Sequence, residues 1–192
     1  MLKKTEVATD PMDLLGSSPV RPDGVPKVTG MAQYGADYSL PGMLWGKVLR
    51  SPHAHARIVS IDTSRARALP GVKAVMTAAD MPDHDFAYQG PERVQVNFWH
   101  MTRNVMAREK ALFAGHPIAA VAATSQAIAQ EALGLIDVQY EVLPHVIDVE
   151  DAMREDAPLL FDDMITRGRE DAKPSNVSRF KTFEAGDLAG GF

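Results

Sequence analysis

In the stretch Pro117-Ile118-Ala119-Ala120-Val121-Ala122-Ala123-Thr124-Ser125-Gln126-Ala127-Ile128-Ala129-Gln130-Glu131-Ala132-Leu133-Gly134-Leu135 the spacing of the apolar residues changes once. Ile118 to Ala123 is an uninterrupted apolar run and reads as a strand. Thr124 or Ser125 then supplies a helix cap, and Ala127, Ile128, Ala132, Leu135 and Ile136 recur at helical spacing, which predicts a helix from about Gln126 to Leu135. Beyond it Ile136, Val138, Tyr140 and Val142 alternate with Asp137, Gln139 and Glu141, the period of a strand wet on one face, and Pro144 ends it.

The same grammar appears earlier in the chain. Strand formers fill Met43 to Arg50, and Ser51 before Pro52 is pushed out of the helical region. Arg57 to Ile61 reads as a strand, Asp62 or Thr63 caps a short helix over Ser64 to Leu69, Pro70-Gly71 stops it, and Val72 to Thr77 is a third strand. Two short strand-helix-strand units in one chain predict an α+β fold with a mixed sheet. The rest is punctuated by Pro and Gly. Residues 1–20 are expected to form a flexible arm, residues 21–165 the domain body and residues 166–192 a polar tail. The proline- and glycine-rich character of the start continues to Pro26, so an extended course without packing of its own is expected to that point. Pro82 to Met106 is assigned to a long irregular excursion. Asp148 can cap a helix over Val149 to Arg154, and Asn176 to Glu184 has weak strand character before a stop at Gly190-Gly191-Phe192 that resembles an interrupted chain.

Composition removes several classes of function. The 192 residues carry 20 Lys+Arg against 25 Asp+Glu, a net charge of −5, with no basic run, so the electrostatic footprint of a nucleic-acid binder is missing. With no cysteine the chain can form no disulfide, thiolate zinc site, cysteine-held iron–sulfur cluster or thiol nucleophile. Lys3-Lys4 precede no apolar segment of the signal-peptide kind, and the apolar run Pro117 to Ala123 is far shorter than the roughly 20 residues of a membrane-spanning helix. A cytoplasmic location is expected.

Few residues invite a chemical reading. His53 and His55 stand at i and i+2, where a strand would bring two imidazoles to one side about 7 Å apart, within reach of one metal ion. Nothing nearby supplies a third ligand, and hydrogen-bonded imidazoles at a sheet edge or interface are the preferred reading. His116, between Gly115 and Pro117, suits a turn entering a strand as well as a ligand-facing loop. His84 between Asp83 and Asp85 reads as a solvated cluster. The carboxylate pairs Asp162-Asp163 and Glu150-Asp151 are adjacent and cannot face each other across a cleft. No phosphate-binding glycine loop, dinucleotide fingerprint, His-Glu-x-x-His or Gly-x-Ser-x-Gly occurs. The residues alone define an α+β domain without an evident active site.

A longer series of motifs carries a resemblance. Arg21-Pro22-Asp23-Gly24-Val25-Pro26-Lys27-Val28-Thr29-Gly30 is followed by Ala32, Tyr34 and Asp37, by Leu40-Pro41-Gly42-Met43-Leu44, and by Leu49-Arg50-Ser51-Pro52-His53-Ala54-His55-Ala56-Arg57-Ile58. Then come Leu69-Pro70-Gly71-Val72, Thr77-Ala78-Ala79-Asp80-Met81-Pro82, Ala107-Arg108-Glu109-Lys110, Phe113-Ala114-Gly115-His116-Pro117 and Val138-Gln139-Tyr140-Glu141-Val142-Leu143-Pro144. In this order they resemble the start of the molybdopterin-binding large subunit of molybdenum hydroxylases, the xanthine dehydrogenase and aldehyde oxidase family.

The resemblance implies an α/β-hammerhead domain that precedes the cofactor-binding domains. It implies that the parent complex uses a molybdenum-pterin centre, iron–sulfur clusters and often FAD to hydroxylate aldehydes or N-heterocycles with oxygen from water. It implies no catalytic, cofactor-binding or metal-binding residue in this chain, whose isolated form is then inactive. Arg21, Asp23, Lys27, Thr29, Gly30, Tyr34, Asp37, Arg50, His53, His55 and Arg57 become framework or interface candidates facing the molybdenum-pterin, iron–sulfur and flavin partners. Arg21, Arg50 and Arg57 are the candidates for ion pairs across that contact. No nucleic acid or membrane partner is implied, and an isolated domain is expected to self-associate through an apolar patch drawn from Trp45, Phe98, Trp99, Met101 and Met106. Two other readings stay open: a stand-alone hammerhead binding or assembly module, and a small metal hydrolase built on His53, His55 and His100 or His116.

Overall fold

A computed structural model of the chain describes residues 16, 18–83, 87–89, 95–168, 173–183 and 185–191. The expectations for residues 1–15, His84 and Phe86 lie outside the described residues, as does the side chain of Phe98. The chain divides into two compact units, Met1–Met43 and Leu44–Phe192.

Within the first unit, α1 spans Gly24–Val28 and a single 3₁₀ turn spans Gly35–Asp37, neither with a buried residue. The helix replaces the extended course expected up to Pro26. Pro26 sits in the first helical turn, where its missing N–H would have had no intrahelical partner, so it does not act as a breaker.

The second unit is built from two three-stranded sheets. β1 (Trp45–Arg50), β2 (Ala56–Asp62), α2 (Ser64–Ala68) and β3 (Val72–Thr77) come first. The short strands β4 (Ala87–Gln89) and β5 (Gln95–Asn97) pair as a two-stranded sheet, and α3 follows over Phe98–Val105. Then come β6 (Lys110–Ala111), β7 (Pro117–Ala123), α4 (Gln126–Gly134), β8 (Asp137–Val142) and α5 (Val149–Ala152), with a last short helix, α6, at Leu188–Gly191. The sheet orders are β1-β7-β3 and β6-β2-β8.

The α+β class is as expected, but the mixed sheet is not observed. Every pairing between named strands is antiparallel. The reason lies in the two strand-helix-strand units. In each the helix carries the chain from one sheet to the other, from β2 through α2 to β3 and from β7 through α4 to β8, so the flanking strands never become parallel neighbours.

The core follows from the strand periodicity. Ala119, Val121 and Val75 are buried with Ala66 of α2 and Ala132 of α4, while Ile61 and Val138 of the other sheet pack against the same cluster. Ile118 joins Ala107 and Ala111 in a second cluster under Ile58 and Tyr140. Ile118 and Val121 are among the largest side chains fully removed from water, worth about 1.5–3 kcal/mol each. Small residues do much of the packing, because alanines at 119, 123, 129 and 132 let α4 lie close to the sheet. The Oγ of Ser125 accepts from the backbone N–H of Ile128 at 3.2 Å and starts α4, a cap worth about 1 kcal/mol. Gly71 turns the chain into β3 at φ +93°, and a Cβ there would lie 2.7 Å from Ile128 Cδ1, so both conformation and space demand glycine.

Two further expectations are corrected. The irregular excursion from Pro82 contains α3, in which Phe98, Met101 and Val105 fall at helical spacing and which is tied internally by the Thr102 hydroxyl and the Arg103 guanidinium, both donating to the carbonyl of Trp99 at 3.1 and 3.2 Å. The weak strand around Asn176 to Glu184 amounts to isolated bridges, Ile165 with Pro174 and Arg167 with Arg179. That segment is held by Asn176 instead. Its amide accepts from the Leu160 N–H at 3.0 Å and donates to the carbonyls of Ala152 and Pro158 at 3.1 and 3.0 Å.

Candidate functional site

The segment Ser51 to His55 joins β1 to β2 and gathers the motif residues of the second unit. Ser51 is buried, and its hydroxyl donates to the His53 carbonyl at 2.9 Å while accepting from the His53 N–H at 3.0 Å, a tight turn enforced by Pro52. Its backbone exchanges two bonds with the turn before β7: Ser51 N–H to His116 O at 2.9 Å and Gly115 N–H to Ser51 O at 2.8 Å. Arg50 adds a third by donating Nη1–H to Gly115 O at 2.8 Å.

The histidines do not converge. His53 stands edge-on to Tyr140, with ring centres 5.1 Å apart. Burial pushes the Tyr140 hydroxyl up from its ordinary pKa. His55 is buried and donates Nδ1–H to the carbonyl of Pro144 at 2.7 Å, while its own carbonyl accepts from Leu143 N–H, so it ties the exit of β8 to the start of β2. His116 is completely buried. Its Nδ1 accepts from Leu112 N–H at 3.1 Å, which puts the ring proton on Nε2, and its ring stacks on Phe113 at 4.4 Å. Burial holds its pKa below the ordinary histidine value, against the carbonyls of Arg103 and Asn104, which favour the charged form. Each buried imidazole thus spends a nitrogen on a backbone group. Among the described residues no three His, Asp or Glu come together as a metal site.

Arg57 pairs with Glu141 across β2 and β8 at 3.0 Å, with both groups more than half exposed and the pair therefore worth at most about 1 kcal/mol. In the first unit, Asp23 receives both Arg21 and Lys27, whose hydrogen bonds hold its carboxyl below the ordinary range. The Thr29 hydroxyl donates to Val25 O at 2.7 Å, Gly30 takes φ +74° directly after it, and the Tyr34 N–H donates to the Asp37 carboxylate at 2.8 Å. The eleven framework candidates therefore fall into two sets: residues 21–37 bond within their own segment, whereas Arg50, His53, His55 and Arg57 reach Gly115, Tyr140, Pro144 and Glu141.

A third cluster was not singled out from the sequence. Arg103 of α3 is buried with its guanidinium 3.0 Å above the Trp99 ring, and it pairs with Asp83 at 3.4 Å and Glu109 at 3.5 Å. Arg108 donates to the carbonyls of Met81 and Pro82 at 3.0 and 2.8 Å and approaches Asp83 at 3.7 Å. Together they clamp the chain after β3 to α3. A cleft of about 320 Å³ beside them is lined by Trp99, Arg103, Lys110, Leu112, Phe161 and Asp162. The signal was present as Trp99 and Arg103 at i and i+4, a spacing that lets a cation cover a ring on one helical face. Asp162 of the carboxylate pair meets Lys110 at 3.3 Å. His100 stands edge-on to Phe161 at 4.6 Å, and burial lowers its pKa. Of the expected apolar patch, Trp45 and Met101 are half exposed, while Met106 is buried. Met106 adjoins the core alanine Ala107, which explains its placement inside.

Two antiparallel sheets joined by crossing helices, with several motif side chains bonded to backbone groups of the fold, define a domain of the α+β class. The sequence pattern described as "Aldehyde oxidase and xanthine dehydrogenase, a/b hammerhead domain" matches residues 29–144. The carbon monoxide dehydrogenase large chain of Afipia carboxidovorans is 40% identical over 178 residues, 92% of this chain and 21% of that one. The nicotinate dehydrogenase large molybdopterin subunit of Eubacterium barkeri is 35% identical over 93% of this chain and 37% of its own length. The crystal structure of quinoline 2-oxidoreductase from Pseudomonas putida 86 superposes with a TM-score of 0.60 at 39% identity, covering 74% of this chain and 18% of that one. The chain belongs to the aldehyde oxidase and xanthine dehydrogenase family and carries its hammerhead domain. It spans between about a fifth and two fifths of the length of these curated relatives.

Proposed function

We propose that this chain is the N-terminal structural part of the large subunit of a molybdenum-containing hydroxylase, of the class that oxidises aldehydes or N-heterocycles with oxygen from water. Its role is to build and brace the large subunit rather than to turn over substrate. One observation carries this reading: in a domain of this family, the motif side chains that could do chemistry each hold part of the fold, and among the described residues they do not gather into one site. His55 holds Pro144, His116 holds Leu112, Arg50 holds Gly115 and Arg57 holds Glu141. The described residues do not fit the metal–pterin group: the second ring nitrogens of His55 and His116 meet no hydrogen-bond partner, but both are enclosed in the fold, and no three His, Asp or Glu come together. No chemical step is therefore assigned to residues of this chain.

The molybdenum-pterin centre then belongs to a further part of the large subunit, and iron–sulfur clusters and FAD to companion domains or subunits. The similarity to the large molybdopterin subunit of the Eubacterium barkeri nicotinate dehydrogenase supports this assignment. No helix among the described residues is long and apolar enough to cross a membrane, and we assign the assembly to the cytoplasm. The test is recovery of the tagged chain from its native host, with metal analysis of what accompanies it. Molybdenum and iron in the recovered assembly, with aldehyde or heterocycle oxidation present there and absent from the chain alone, are expected. A metal-free chain recovered without companions refutes the reading and leaves the independent binding module.

A further inference from the structure

The turn that leads into β7 is fastened to the body through one imidazole. Phe113 to His116 form a four-residue turn closed by His116 N–H to Phe113 O at 3.1 Å, with Gly115 at φ +87°. Phe113 and Ala114 face water, whereas Leu112 before them and His116 after them are buried. Entry and exit of the turn are joined by Leu112 N–H donating to His116 Nδ1 at 3.1 Å. The motif segment leans on the same turn: Ser51 N–H donates to His116 O, Gly115 N–H to Ser51 O and Arg50 Nη1–H to Gly115 O. The other ring nitrogen, Nε2, is buried near the carbonyls of Arg103 and Asn104 and meets no hydrogen-bond partner. The ring is therefore held by an acceptor nitrogen, and an acceptor nitrogen is what a proton removes.

We infer that His116 is an acid-released latch: on protonation its ring leaves the Leu112 N–H and the turn Phe113 to His116 opens locally, freeing Arg50 and Ser51 while β7 stays paired with β1 and β3. A proton on Nδ1 would set two N–H donors against each other across 3.1 Å, buried away from water, so the charged ring cannot keep its place. No neighbouring charge compensates it. From α3, Arg103 is engaged by Asp83 and Glu109; from the segment after β1, Arg50 lies on Gly115 O; and Lys110, two residues before Leu112, pairs with Asp162. No charged side chain is among the groups that shift the ring. The opening is local because neither core cluster contains a residue of 112–116, so Val75, Ala119 and Val121 on one side and Ala107, Ala111 and Ile118 on the other keep their packing when the turn leaves. The freed segment leads directly to His53, His55 and Arg57, and the latch places the setting of these motif side chains under acid control.

The test is amide hydrogen exchange of the full 192-residue chain, resolved by residue and corrected for the intrinsic effect of pH. With an ordinary histidine pKa in the opened turn, the Leu112 and Ser51 amides are expected to exchange about thirtyfold faster at pH 5 than at pH 7.5. A local opening exposes little surface, so adding 1 M urea at pH 5 leaves those two rates unchanged within about twofold, while the amides of Ala120 and Val121 in β7 accelerate at least about fivefold. In His116→Asn, whose amide oxygen accepts from Leu112 N–H at any pH, the acid acceleration at Leu112 falls below about threefold. Equal exchange of Leu112 at the two pH values overturns the latch. Acceleration of Leu112 and Ser51 by urea in step with β7 overturns it in favour of global unfolding, a result the natural chain gives whether or not the variant folds. Acid acceleration retained in His116→Asn assigns the titration to another group and overturns it as well.

Discussion

In the body, from Leu44 onward, Ala119, Val121 and Val75 lie under α2 and α4 and two sheets share that cluster, whereas in the arm, from Val20 to Met43, order comes from ion pairs and caps between residues two to four apart. The contrast separates two uses of the same residue types. Valine at 75 and 121 is structural because neighbours from distant parts of the chain converge on it. Valine at 25 and 28 lies in a short helix that carries no buried residue. Likewise the charged pair Arg57–Glu141 spans two strands, while Arg21–Asp23–Lys27 only shapes a helix turn. Burial, not residue type, decides which part folds by itself.

The sharpest way to break the contrast is to cut into each region in turn. Ile118→Ala in the body is expected to cost about 2–5 kcal/mol, read by urea unfolding, because a fully buried side chain is deleted between packed strands. A loss below about 0.5 kcal/mol would mean that β7 is not the keel of the fold. Asn176→Ala comes next, at about 1–3 kcal/mol, because it strands the Leu160 N–H and the carbonyls of Ala152 and Pro158. Its effect should appear as faster hydrogen exchange around residues 158–176.

Acid offers a gentler cut. Burial lowers the folded-state pKa of His116 and His100, so the unfolded chain binds protons first as the pH falls below about 6.5. Stability is therefore full above that pH and declines below it, with each group contributing a slope of at most about 1.4 kcal/mol per pH unit. His116→Asn, which keeps an acceptor for Leu112 N–H, is expected to flatten that slope in unfolding curves recorded between pH 7 and pH 5. An unchanged slope would place the titration elsewhere. The smallest effect belongs to the arm: Lys27→Ala should alter the stability of the isolated chain by no more than about 0.5 kcal/mol, since exposed pairs contribute little.

Much of the body was legible in the sequence because its elements have pure periods. The apolar run at 118–123, the alternation at 136–142 and the Pro70-Gly71 stop locate β7, β8 and the end of α2 to within a residue or two. Sheet pairing was not legible, since periodicity says which face of a strand is buried but not which strand lies beside it. The helix α3 escaped because its apolar spacing, Phe98, Met101 and Val105, lasts only eight residues and follows a stretch without a period, while the Arg103 cation stacked on Trp99 that helps hold it is not a periodic signal. The motif histidines could be read as hydrogen-bonded framework, but their acceptors, Pro144 for His55 and the Leu112 N–H for His116, come from tertiary approach that spacing does not encode.

Hydrogen–deuterium exchange on the isolated 192-residue chain tests the central division most directly. Slow exchange across β1, β7 and β3 with fast exchange throughout residues 20–43 is the predicted result, because one region carries its own core and neither the helix nor the 3₁₀ turn of the other has a buried residue. Protection of residues 20–43 to the level of β7 in the monomeric chain would contradict it.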